Sequence, residues 1–232
     1  MPPATRTTRI RAIVPAAGAG RRMGRAKQTL AYGSSTMVAT VVNALLDVPV
    51  DGVVVVTRAE LVEASRLPDD PRVVVAFNED PSAQMIDSVR IGLRALSGLD
   101  KGATEQTTGQ TTGQATGIPC MAPIADRNDA QTVDGIMVVP ADMPMIRVDS
   151  YRRCVAEFSR DPSRLVIGAY GSRRGHPMII PAAMIDEIGG LSGGLNELPR
   201  RFPNLVREVA VDDAGVVRDV DTREDYEELT GG

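Results

Sequence analysis

The chain has 232 residues, 43% hydrophobic and 24% charged, a composition that suits a globular protein and not a disordered one. Its net charge of −4 argues against a general nucleic-acid binder, and no apolar run approaches the roughly 18 residues of a membrane span. Two cysteines, Cys120 and Cys154, and one histidine, His176, exclude a disulfide framework, a zinc-cysteine site and a multi-histidine metal centre.

In chain order, Ile10 to Val14 reads as a strand and Met37 to Leu46 as a helix, with apolar residues at 37, 38, 41, 42, 45 and 46. Gly52 to Thr57 holds four consecutive valines, the mark of a strand buried on both faces. Ala59 to Arg66 reads as a short helix and Arg72 to Phe77 as another strand. Met85 to Leu96 places Ile86, Val89, Leu93 and Leu96 on one helical face. Ile136 to Val139 is a strand, Asp149 to Phe158 a helix, Leu165 to Ala169 a strand and Met178 to Ile180 a short one. This alternation predicts one three-layer α/β/α domain around a mostly parallel, Rossmann-like sheet. Aromatic residues make up only 3%, so its core must be aliphatic. Residues from about 98 to 134 break the pattern. They include a Thr-, Gly- and Gln-rich tract from Thr107 to Gly117 with nothing to bury, which reads as a flexible insertion in a surface loop. The start, Met1-Pro-Pro-Ala-Thr-Arg, lacks an apolar leader, consistent with a soluble, cytoplasmic protein.

Charge is unevenly spread. No acid precedes Asp47, whereas Arg6, Arg9, Arg11, Arg21, Arg22, Arg25 and Lys27 all do, a local field suited to a polyanion. Glu208 to Glu228 is the acidic counterpart. The chain uses 24 arginines but only two lysines, Lys27 and Lys101, so a lysine in a glycine-rich loop suggests a need for a compact point charge. That loop, Ala16-Ala-Gly-Ala-Gly-Arg-Arg-Met-Gly-Arg-Ala-Lys27, follows the first strand. Its glycine spacing departs from the dinucleotide fingerprint, and it lacks the Gly-Lys-Ser/Thr of a Walker A loop. It still has the parts of a phosphate cradle: glycines that let amides approach oxygens, and cations to neutralise them.

The loop resembles the signature of the nucleotidyltransferases related to molybdenum cofactor cytidylyl- and guanylyltransferases, the MobA-like NTP transferases. Three later segments agree in order: Pro140-Ala-Asp-Met-Pro144, Arg174-Gly-His-Pro-Met178 and Val217-Arg-Asp-Val-Asp-Thr-Arg-Glu-Asp-Tyr226. The resemblance implies the nucleotide-diphospho-sugar transferase fold and transfer of a nucleoside monophosphate to a phosphorylated acceptor, with loss of pyrophosphate. It implies that Arg22, Lys27 and Asp142 are catalytic. Ala16, Ala17, Gly18, Ala19, Gly20, Arg21, Arg22, Lys27, Asn78 and Ser88 would bind the nucleotide. Asp142 and Asp221 would bind Mg²⁺, with Asp219 the rival for the second position. His176, Pro177 and Gly194 would face the acceptor.

Ala16-Ala17-Gly18 favours CTP within that family, and molybdopterin is the leading acceptor, with a molybdoenzyme or chaperone as the implied partner and no nucleic acid or membrane. A sugar phosphate or methylerythritol phosphate is the alternative acceptor, suggested by the Lys27-Gln28 pair. A nucleotide-binding chaperone without turnover is the third reading. Asp142 also makes sense from position alone, because ligands of parallel α/β sheets collect at the carboxyl ends of strands. Asp221-Thr-Arg-Glu224 has a competing explanation as a helix start, with Thr222 or Asp221 as cap.

Overall fold

A computed structural model describes residues 7–18, 26–97 and 133–231. The first strand, β1 (Ile10–Pro15), leads into the glycine loop. After a 3-10 turn at Lys27–Thr29, a short hairpin of β2 (Ala31–Tyr32) and β3 (Ser35–Thr36) feeds α1 (Met37–Leu46). Thr36 caps that helix, its hydroxyl accepting from the Ala39 amide at 3.2 Å. The valine run forms β4 (Gly52–Thr57), paired in parallel with β1 so that Val14 lies opposite Val55. The helix expected over 59–66 is shorter, a 3-10 turn at Ala59–Leu61 and then α2 (Val62–Ser65). Arg66 ends it in the left-handed region at φ 49°.

Next come β5 (Val73–Phe77), α3 (Met85–Ser97), β6 (Gly135–Val138), α4 (Val148–Arg160) and β7 (Leu165–Tyr170). The strand expected at Met178 to Ile180 is much longer, β8 (Arg173–Pro181). Its first half is polar and partly exposed, which hid it from an apolar-run reading. The chain ends in α5 (Glu197–Arg201), β9 (Val206–Ala210) and α6 (Arg223–Thr230). The sheet order is β5-β4-β1-β6-β8-β7-β9. All neighbours are parallel except β8, which runs against both β6 and β7. That reversal matters for the site: the amino-terminal residues of β8 arrive at the carboxyl ends of β1, β4 and β6.

Alternating strand residues divide the core into two sets. Ile10, Ala12, Val53, Val55 and Met137 pack with α1 and α4, while Ile13, Val54, Val56, Ile136 and Val138 pack with α3 and the segment around Ile188 and Leu198. The sheet is therefore sandwiched between helices, three layers as expected. The described chain resumes at Val133. Asp134 already belongs to the fold, its carboxylate accepting from the Arg9 amide at 2.8 Å. The Thr107 to Gly117 tract lies outside the described residues. No helix among the described residues is long and apolar enough to cross a membrane.

Cys154, buried on α4, has its thiol pushed up to about 12 by burial. Thiolate is the reactive form, so in a Cys120→Ser variant the native protein should resist a maleimide at neutral pH and label fully in denaturant. Rapid native labelling would show that α4 does not pack as described.

Candidate active site

The residues singled out on either side of the sheet edge meet at one ammonium. Lys27 Nζ lies 2.5 Å from Asp142 Oδ2 and 2.5 Å from Asp221 Oδ1. Each component is carried there by a local bond. Past β6 the chain continues beside β1, with the Ala141 amide donating to the Pro15 carbonyl at 3.1 Å, and Asp142 follows. The Val220 amide donates to the Asp142 carbonyl at 3.0 Å, which draws the 219–221 segment across. Tyr226 anchors α6 from the other side, its hydroxyl donating to the Ala31 carbonyl at 2.7 Å.

The helix-start reading of 221–224 is resolved by the bonds. Thr222 is the cap of α6, in a reciprocal capping box with Asp225, while the Asp221 side chain points to Lys27. Asp221 thus sits just before the helix with its amide held by Asp225 at 3.1 Å.

Burial alone would lower the pKa of Lys27, but Asp142 and Asp221 outweigh it and hold the ammonium above its ordinary value. Asp219, at the rim, has its carboxyl raised by partial burial and then by Asp221 and Asp142, against the pull of Lys27. Asp142 Oδ1 is buried with no hydrogen-bond partner. An orphaned carboxylate oxygen beside a second carboxylate suits a hard cation that keeps waters and phosphate oxygens as its other ligands. Among the described residues, no cluster of three or more His, Cys, Asp or Glu could hold a metal by protein side chains alone.

Gln28 was not foreseen as a site residue. It is buried, and its side-chain amide donates to the Ala16 carbonyl at 2.6 Å and to the Gly18 carbonyl at 3.1 Å. These bonds fix the carbonyls of the glycine loop. Gln28→Leu should weaken triphosphate binding about tenfold and destabilise the protein by about 1–3 kcal/mol, because the Gly18 carbonyl loses this donor and the Ala16 carbonyl keeps only the Thr57 hydroxyl at 3.3 Å. A titration with nucleoside triphosphate and a thermal melt check both effects. Ala16 and Ala17 are buried beside this bond network. Ala19, Gly20, Arg21 and Arg22 lie outside the described residues.

Next to the cluster lies a cleft of about 330 Å³, lined by Met85, Met143, Met178 and His176 and flanked by Arg174 and Asn196. His176 reaches it because β8 is reversed. Its Nδ1 lies 3.1 Å from the Val138 carbonyl, so this nitrogen carries the proton and donates. Burial pushes the imidazole down, against that bond and the nearby Asp142 and Asp219, favouring the neutral ring. Gly175 has a steric role: a Cβ there would collide with the Val216 carbonyl, and both residues line the cleft.

The structure does not bring every expected residue to this place. Asn78 and Ser88 are both buried and bonded to each other at 3.0 Å, clasping the end of β5 to α3. Pro177 and Gly194 do not line the cleft, whereas Asn196 and Pro199 do. The Ser192 and Gly193 amides are taken by the Glu197 carboxylate.

The start of the glycine loop, an ammonium and two carboxylates gather at the carboxyl edge of the mostly parallel sheet, where α/β folds bind their ligands. The chain belongs to the MobA-like NTP transferase domain family, whose model matches residues 12–207. It is 42% identical over 94 residues to a 2-C-methyl-D-erythritol 4-phosphate cytidylyltransferase of Rhodococcus jostii, a match covering 38% of this chain. The chain spans 39% of the length of that curated relative. Among solved structures it is similar to Rv0371c of Mycobacterium tuberculosis H37Rv, at 22% identity and TM-score 0.70, covering 97% of this chain and 100% of that one. A nucleotidyl transferase of Methanothermobacter gives 21% identity and TM-score 0.68, with 96% of each chain covered. These likenesses establish the nucleotide-diphospho-sugar transferase fold.

Proposed function

We propose that the protein is a Mg²⁺-dependent nucleotidyltransferase that moves CMP from CTP to a phosphorylated acceptor, with molybdopterin the favoured acceptor. The convergence of Lys27 with Asp142 and Asp221 carries the reading, because it puts a cation and two metal-type ligands beside the glycine loop. Asp142 and Asp221 would hold the metal, which supplies neutralisation of the triphosphate oxygens. The solved structure of Rv0371c in complex with manganese, at 22% identity, lends support to a divalent ion.

Lys27 has three donors, two of them engaged by the carboxylates, and lies where the ammonium can pass to phosphate oxygens. The acceptor phosphate is already anionic near neutral pH, so its oxygen attacks the α-phosphorus without a general base. The bond to the bridging oxygen breaks, and pyrophosphate leaves with the electron pair. His176, favoured neutral, is then free to position the acceptor. Positioning and charge stabilisation do most of the work in such a transfer.

The cleft favours the molybdopterin reading over a sugar. Met85, Met143 and Met178 offer polarisable thioethers to a flat ring, and Arg174 and His176 provide polar contact. The local identity to a methylerythritol phosphate enzyme supports the other acceptor. Incubation with each nucleoside triphosphate, Mg²⁺ and either acceptor, scoring pyrophosphate and the adduct, separates them. Turnover with methylerythritol phosphate alone would overturn the acceptor assignment. No pyrophosphate with any pair would overturn the enzyme assignment.

A further inference from the structure

Arg58 is the first residue beyond β4, and its guanidinium is poorly satisfied. Nε and Nη2 are buried without any hydrogen-bond partner, and Nη1 has only Glu60 Oε1 at 3.5 Å. The side chain is 16% exposed, so it is neither a solvated surface arginine nor a paired interior one. A buried donor without an acceptor is destabilising, and a structure that retains two on one side chain invites an explanation in ligand binding.

Its position supplies that explanation. The backbone stays extended at Arg58, φ −97° and ψ 149°, so the side chain continues the face of Val54 and Val56, the face covered by α3. On one side lies the glycine loop, tied to β4 by the Ala16 amide to the Val56 carbonyl at 2.7 Å. On the other lies the end of β5, tied by the Asn78 amide to the Thr57 carbonyl at 2.9 Å and the Ala59 amide to Glu79 at 2.8 Å. Arg58 therefore stands between the start of the glycine loop and the end of β5.

We infer that Arg58 is a specificity-determining residue that reads the nucleobase, its Nε and Nη2 donating side by side to two adjacent acceptors on the base edge. This rests on the nucleotidyltransferase reading above. Cytosine offers O2 and N3 as such a pair, and guanine offers O6 and N7. Uracil presents an N3–H donor between its carbonyls, and adenine places its amino donor beside N1 and N7 and leaves N3 without an adjacent acceptor. A planar fork of donors accepts the first two bases and rejects the others, because a donor facing a donor leaves both unpaired. The Glu60 contact is long enough to yield when the base arrives. Arg58 would thus add a direct reading of the base to the CTP preference that Ala16-Ala17-Gly18 implies by resemblance.

The test measures equilibrium binding of CTP, GTP, UTP and ATP, with Mg²⁺, to the wild-type protein and to Arg58→Met and Arg58→Lys. Thermal melts establish that each variant is folded. Wild type should prefer CTP to UTP by at least tenfold. Both variants should lose tenfold or more for CTP while UTP changes less than threefold, since lysine keeps the charge but not the fork. Equal losses for all four triphosphates would assign Arg58 to phosphate or to folding, and no loss would leave it without a role; either result overturns the inference. Should the variants fail to fold, wild type alone decides the matter with 3-deaza-CTP, which lacks the N3 acceptor. A tenfold weaker affinity supports the pairing, and an affinity equal to that for CTP sinks it. Wild-type binding and transfer with an unchanged base preference in the variants would leave the enzyme reading standing. A wild type that binds no triphosphate would remove both.

Discussion

Asp142→Asn is expected to lower nucleotidyl transfer about a thousandfold while leaving the melting temperature within a few degrees of wild type. The two halves of that result have different origins. Activity falls because Asp142 is the less exposed of the two carboxylates on Lys27 and carries the buried oxygen for which the protein supplies no donor. An amide oxygen carries no charge and holds a divalent cation more weakly than a carboxylate does. Stability is little affected because Lys27 retains Asp221, and replacing an unsatisfied carboxylate oxygen removes a desolvation cost that partly offsets the lost ion pair. Pyrophosphate release and a thermal melt on the same preparation measure both. A folded variant with wild-type turnover would exclude Asp142 from the chemistry.

Asp213→Ala should do the reverse, costing about 2–4 kcal/mol, a fall of roughly 5–15 °C in melting temperature for a chain of this size. Asp213 is 6% exposed and lies outside the reacting cluster, yet its carboxylate joins two elements. It accepts from the Arg147 amide at 2.9 Å and the Ser150 hydroxyl at 2.6 Å, capping α4, which has no cap of its own. It also accepts from the Gly215 amide at 3.0 Å at the head of the 3-10 turn Ala214–Val217. Negative charge at the start of α4 is further favoured by the helix dipole. Because Val216 and Val217 line the cleft, the same variant should raise the acceptor KM more than the nucleotide KM. Calorimetry and steady-state kinetics test the two effects. A melting temperature unchanged by the substitution would show that water replaces all three bonds.

The parts of this architecture that the sequence made legible are those in which burial on both faces produces unbroken apolar runs. The valines of β4 and the short runs of β1 and β6 needed no tertiary information. β8 was half hidden because Arg173, Arg174 and His176 make its amino-terminal half polar. β9, at the sheet edge and largely exposed, gave too weak a pattern to be recognised. In the site, Lys27, Asp142 and Asp221 stood out through charge placement and motif order. Gln28 and Arg58 did not: one acts through bonds to its neighbours' carbonyls, and the other is notable for bonds it lacks. Such properties belong to the folded arrangement, and residue type and spacing do not carry them. The capping question at Asp221 needed coordinates for the same reason, since Thr222 and Asp221 are equally good caps on paper.

The pairing of Lys27 with Asp221 spans 194 positions of chain. A chain that stops before Asp221 contains all seven strands of the sheet and still lacks one of the two carboxylates. On the proposed reading, metal-nucleotide binding would therefore depend on a segment made after every strand of the sheet.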